Sequence, residues 1–147
     1  MPNNDDELRE FLLSHARHPK RVGELADADG VGQCHNPLCG DKIAVSLIVE
    51  NSIVKKINIL PSGCSISIAS ASLMSEMVEG KSIVEVETYI KDVNDNFIPT
   101  AISKEWPTSL ELLSPLKRIR ENPLKIPCTL ISWIAVKEAV KNYQSKL

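Results

Sequence analysis

The sequence predicts a mixed domain of helices and strands, an antiparallel β-hairpin with helices before and after it. Two observations carry this. Apolar residues alternate with polar or small ones through residues 43–59, and they switch to a spacing of three or four after Pro61 and Gly63 and again at both chain ends. With 147 residues, the chain falls within the range of about 100–200 expected of one domain, so a single domain over residues 1–147 is expected.

At the N-terminus, Leu8, Phe11, Leu12 and His15 recur at helical spacing within Asp5 to Arg17, and the acids of the first turn suit the helix dipole. Pro19, Gly23, Gly30 and Gly32 then interrupt any regular pattern up to Cys39, which predicts a loop or an irregular strand. From Asp41, Ile43, Val45, Leu47 and Val49 alternate with Lys42, Ala44 and Ser46, the period of a half-buried strand. Asn51 and Ser52 supply a turn, and Ile53, Ile57 and Ile59 continue the alternation in a second, antiparallel strand. A helix is expected to start at Cys64, because Ile66, Ala69, Leu73 and Met77 share one face up to the stop at Gly80. Its many serines and alanines would let another backbone approach closely. Ser82 and Glu85 form a capping box for a short helix reaching Ile90.

Between Asp92 and Pro127 there is no glycine, and five of the nine prolines fall there, which excludes long helices. Thr108 and Glu111 match a capping box for one short helix within it. The chain closes with a helix from Cys128 onward, with Trp133, Val136, Val140 and Tyr143 on one face.

Composition narrows the function. Hydrophobic residues make up 43% and charged residues 24%, as in globular proteins, and a net charge of −2 offers no general attraction to phosphate backbones, so nucleic acid is not an expected partner. No apolar run is long enough to span a bilayer, and acids rather than a basic-then-apolar signal open the chain. A soluble, cytoplasmic protein with no membrane partner is expected. In that compartment four cysteines point to metal binding or redox chemistry sooner than to disulfides.

Three of the cysteines have chemically suggestive neighbours. Cys39 precedes Gly40 and Asp41; Cys64 follows Gly63 and Cys128 follows Pro127, each in the first turn of an expected helix. Unsatisfied amides and the helix dipole there favour thiolate over thiol. Residues 39 and 41 could reach one ion only if the backbone bends at Gly40. Together the three sulfurs and the Asp41 carboxylate would complete a tetrahedral Zn2+ site and could also hold iron. The carboxylate would be the weak, exchangeable member. Against this stands the ordinary fate of a free cysteine, burial as a small hydrophobe.

In order along the chain, these segments resemble the IscU/SufU/NifU N-terminal family of iron–sulfur cluster assembly proteins. Residues His18 to Gly23 are similar to its Asn-Pro-Arg-Asn-Val-Gly segment, Asn36 to Asp41 to its first cysteine motif, Gly63 to Ser72 to its second, and Lys125 to Cys128 to its third. The resemblance implies an α+β fold, a three-stranded antiparallel sheet with helices packed on it, and a metal or cluster site at one exposed end built from Cys39, Asp41, Cys64 and Cys128. Where IscU members have a histidine before the third cysteine, this chain has Pro127, and its interval from Cys64 to Cys128 is longer. Both features resemble the SufU branch, although that branch has arginine where Lys125 stands.

The resemblance further implies a scaffold or sulfur acceptor holding Zn2+, iron or a [2Fe-2S] cluster. Its sulfur would come as persulfide from a cysteine desulfurase of the SufS, IscS or NifS type, with Cys39 as acceptor, and iron–sulfur acceptor or carrier proteins would follow. The alternatives are a zinc-dependent sulfurtransferase and a structural zinc domain. Cys34 departs from the family pattern and is expected to be a spare thiol, though it could resolve a persulfide. His35 is expected to be a solvated loop residue, and His15 and His18 to belong to the first helix and its end. Lys117, Arg118, Arg120 and Lys125 form either a solvated face or a docking patch for an acidic partner.

Overall fold

In the computed structural model, which describes residues 5–38, 40–101 and 105–147, α1 (Asp5–Arg17) precedes three strands: β1 (Gly30–Asn36), β2 (Asp41–Glu50) and β3 (Ile53–Ser62). Helices α2 (Ser65–Val78) and α3 (Ile83–Asn96) follow, then a short 3-10 segment at Pro99–Ala101, a long one at Thr108–Glu121, and finally α4 (Ile126–Ser145). The strands form one antiparallel sheet in the order β1-β2-β3, so the expected α+β architecture stands.

The hairpin lies where the alternation places it. Asn51 and Ser52 connect β2 to β3 with φ of 51° and 61°, the positive pair that matches the twist of the flanking strands. Ile43, Val45 and Leu47 of β2 and Ile57 and Ile59 of β3 turn one face of the sheet to the core. Against that face pack α4, over β1 and β2, and α2, over β3. Ser70 Oγ donates to the Thr129 carbonyl at 2.8 Å, so the small residues of α2 do admit α4 closely.

β1 is a regular strand rather than an irregular one. Gly30 and Gly32 lie directly against the backbone of α4: a Cβ on Gly32 would meet Ala139 N at 2.5 Å and Glu138 Cβ at 2.9 Å. The glycines are there for close approach, not to break the strand.

Two further elements differ from expectation. The capping box at Ser82 and Glu85 is present, but α3 runs on to Asn96, because buried Val93 and Phe97 continue its apolar side. Thr108 does not cap a helix: Pro107 occupies the cap position, and Leu110 breaks the helical geometry (φ −106°, ψ 20°). The segment stays 3-10, with Pro115 inside it. Arg120 fastens this connection. It is 3% exposed, donates from Nη1 to the Ala101 carbonyl at 2.7 Å, and stacks on Trp106 with Cζ 5.0 Å from the ring centre. It therefore does not belong to a surface cluster with its basic neighbours; Arg118 pairs with Asp5 at 2.9 Å on the exterior. No helix among the described residues is long and apolar enough to cross a membrane.

Candidate metal centre

Three chain segments meet at the end of the sheet that carries the β1–β2 connection. β2 begins at Asp41, and its side chain falls on the buried face because it lies two residues before Ile43. Cys64 is the N-cap residue of α2 (φ −73°, ψ 163°), and Cys128 lies in the first turn of α4 after Pro127, as the positions of Gly63 and Pro127 predict. The ligand-capable atoms of Asp41, Cys64 and Cys128 all lie within 4.8 Å of one another. Asp41 and Cys128 are fully buried, and Cys64 is half-buried. Cys39, the remaining member of the expected set, lies outside the described residues. Beside it in sequence, Leu38 is 90% exposed, and Gly40 has the left-handed φ of 70° that the bend toward Asp41 requires.

The Asp41 carboxylate is held on both oxygens. Oδ1 accepts the Cys64 backbone N–H at 2.8 Å, which places a negative charge at the N-terminus of α2, where the helix dipole favours it. Oδ2 accepts the Ser67 hydroxyl at 2.7 Å and lies 3.7 Å from Cys64 Sγ. Burial pushes the carboxyl up, but hydrogen bonds from Ser67, the Cys64 amide and the thiols of Cys128 and Cys64 outweigh it and hold the group below its ordinary value. Asp41 is thus favoured as an anion that accepts hydrogen bonds from the thiols and could ligate a cation.

Two residues of this centre carry more than their sequence context suggests. Gly63, at φ 134°, presses on Asp41: a Cβ there would fall on Oδ1, 2.7 Å from Cγ and 2.8 Å from Cα. Ser67 reads in sequence as one more small residue of α2. Its position three after the cap residue, where capping boxes place a side chain that reaches back, is the signal that could have singled it out.

Elsewhere, Cys34 shares the α4-facing side of β1 with Gly30 and Gly32, packed against the core, and burial pushes its thiol up. A raised, half-buried thiol suits the expected spare cysteine. His35 is exposed on the opposite side of the strand, and His18 is exposed after α1. His15 is buried, with Nδ1 2.7 Å from Ser72 Oγ.

Comparison with known proteins agrees with this architecture. The chain is 31% identical over 140 residues to the zinc-dependent sulfurtransferase SufU of Bacillus subtilis, covering 94% of this chain and 92% of that one. It is 33% identical over 142 residues to the iron–sulfur cluster assembly scaffold protein IscU of Aquifex aeolicus, covering 95% and 78%. In fold it is similar to the crystal structure of the N-terminal part of a NifU-like protein from Brucella abortus, with a TM-score of 0.83, 22% identity and 94% of each chain covered. The family model of the NifU-like N terminal domain matches residues 7–147, nearly the whole of the fold that gathers Asp41, Cys64 and Cys128, and the chain therefore belongs to that family.

Proposed function

We propose that this chain is an iron–sulfur cluster assembly protein, a scaffold or sulfur acceptor that binds iron or zinc through Cys39, Asp41, Cys64 and Cys128. The observation that carries the proposal is the convergence of Asp41, Cys64 and Cys128, from three separate elements, within 4.8 Å. The names of the relatives, an assembly scaffold and a zinc-dependent sulfurtransferase, support the same chemistry.

The donor set fits a metal. Around a tetrahedral Zn2+, with sulfur at about 2.3 Å and oxygen at about 2.0–2.2 Å, neighbouring S and O ligands lie about 3.5–3.7 Å apart. Cys64 Sγ and Asp41 Oδ2 are 3.7 Å apart. A bound zinc or iron would keep the thiols deprotonated and lower the cost of gathering them in one place.

In the sulfur step, a Cys39 thiolate attacks the terminal sulfur of the persulfide on a cysteine desulfurase. A new S–S bond forms on Cys39, the desulfurase S–S bond breaks, and the desulfurase cysteine leaves as thiolate, with no net change of oxidation state. Asp41, held by Ser67 and the Cys64 amide, is the oxygen ligand and the one suited to leave. A second reading, a zinc-dependent sulfurtransferase that relays this sulfur to another assembly factor, is favoured by Pro127 before Cys128 and by the long 3-10 connection that separates Cys64 from Cys128.

The test is metal analysis and visible absorption of protein purified without oxygen, then incubation with a desulfurase and cysteine. Bound iron with broad visible absorption is the scaffold outcome. Colourless protein with one zinc and a persulfide on Cys39 is the relay outcome. Failure of every cysteine to take up sulfur overturns both and leaves a structural metal domain.

A further inference from the structure

The two oxygens of Asp41 are engaged differently. Oδ1 is taken by the Cys64 amide of the α2 N-terminus at 2.8 Å. Oδ2 is the oxygen that faces the Cys64 thiol at 3.7 Å, and it also receives the Ser67 hydroxyl at 2.7 Å. Ser67 is fully buried, and its Oγ lies 3.4 Å from Cys64 Sγ, so one hydroxyl touches two members of the proposed ligand set.

We infer that Ser67 is a positioning residue that makes Asp41 a one-oxygen, readily released ligand. The inference rests on the ligand set of the proposed function. Oδ2, which faces the Cys64 thiol, is the oxygen placed to ligate, while Oδ1 is turned to the backbone amide that opens α2. A hydroxyl that donates to a ligating oxygen draws off part of its charge and weakens its hold on a cation. When the ion departs, the same hydrogen bond remains on Oδ2, so the buried carboxylate is never left without a partner. Alanine at position 67 removes that hydrogen bond. The metal-free state then holds a buried, undersatisfied carboxylate oxygen, while in the loaded state the cation satisfies it.

The experiment loads wild type, Ser67→Ala, Asp41→Ala and the double variant with zinc and follows transfer of the metal to a colorimetric chelator, alongside melting curves of loaded and metal-free protein. Ser67→Ala should release zinc about tenfold more slowly than wild type, the effect expected for one hydrogen bond to a charged group. Its melting temperature should fall in the metal-free state more than in the loaded one. In the Asp41→Ala background the serine change should alter release by less than about twofold, because the carboxylate through which it acts is gone. Equal release from Ser67→Ala and wild type overturns the role of Ser67 alone. The same slowing with and without Asp41 overturns it too, by showing that the residue acts through packing. Equal release from Asp41→Ala and wild type, or a wild type that binds no zinc, overturns the ligand set and this inference together. Ser67→Thr, which keeps a hydroxyl at the same position, should release zinc at the wild-type rate, and slowing equal to that of Ser67→Ala overturns the role.

Discussion

Replacing Gly63 by alanine should weaken the fold and the proposed metal centre at one stroke. Two separate costs arise. The backbone sits at φ 134°, where an L side chain is strained by about 1–3 kcal/mol. The new Cβ would also lie 2.7 Å from Asp41 Cγ and 2.8 Å from its Cα, whereas carbon atoms rest at about 3.5–4.0 Å. Because one of those atoms is backbone of β2, the strand itself must shift, an overpacking cost of about 1–3 kcal/mol. The sum, about 2–6 kcal/mol, is a large part of the roughly 5–15 kcal/mol that stabilises a domain. Gly80 provides the control: its φ is 85°, but a Cβ there meets nothing within 4 Å, so Gly80→Ala should show only the backbone cost, about 1 kcal/mol. Urea unfolding of the metal-free proteins followed by circular dichroism measures both. Gly63→Ala should lose at least twice what Gly80→Ala loses, and its zinc affinity should fall because Asp41 is displaced. Equal losses, with zinc affinity intact, would refute the claim that Gly63 supports Asp41.

Further outcomes follow from the same structure. Burial pushes His15 below its ordinary value, an effect Glu76 opposes and Lys20 reinforces, so the folded protein binds fewer protons here than the unfolded chain. The stability this gives is complete above about pH 6.5 and is lost as pH falls toward the depressed value, by at most about 1.4 kcal/mol per unit; His15→Gln should flatten that slope in urea titrations, and an unchanged slope counts against it. Arg120→Met keeps the apolar volume but loses the Ala101 hydrogen bond and the Trp106 stack, and should cost about 2–3 kcal/mol. Arg118→Met, which breaks an exposed pair with Asp5, should cost less than about 1 kcal/mol, and equal melting shifts for the two would contradict the latch assigned to Arg120. Gly32→Ala sets a Cβ against the α4 backbone at Ala139 and should cost about 1–3 kcal/mol; a loss below about 0.5 kcal/mol would show that α4 does not rest on β1 as described.

What the amino-acid order settled alone is local. The β2–β3 hairpin, its Asn51–Ser52 turn, the start of α2 at Cys64 and the Ser82–Glu85 cap all depend on side chains within a few positions of one another, and periodicity and turn chemistry report such neighbourhoods directly. The chemical identity of the candidate ligands was equally legible, since a thiol or carboxylate is itself wherever it lies.

Tertiary structure decided everything that depends on what lands beside a residue. Gly30 and Gly32 look like breakers until α4, a hundred positions later, is seen lying on them. Arg120 looks like a surface cation until Trp106 and the Ala101 carbonyl enclose it. Ser67 looks like a spacer until β2 delivers the Asp41 carboxylate to its hydroxyl. Packing of α2 and α4 on the sheet brings Cys64 and Cys128 to Asp41, and no pattern of near neighbours encodes such a meeting, because burial of apolar faces is satisfied collectively by the whole fold rather than by any one segment.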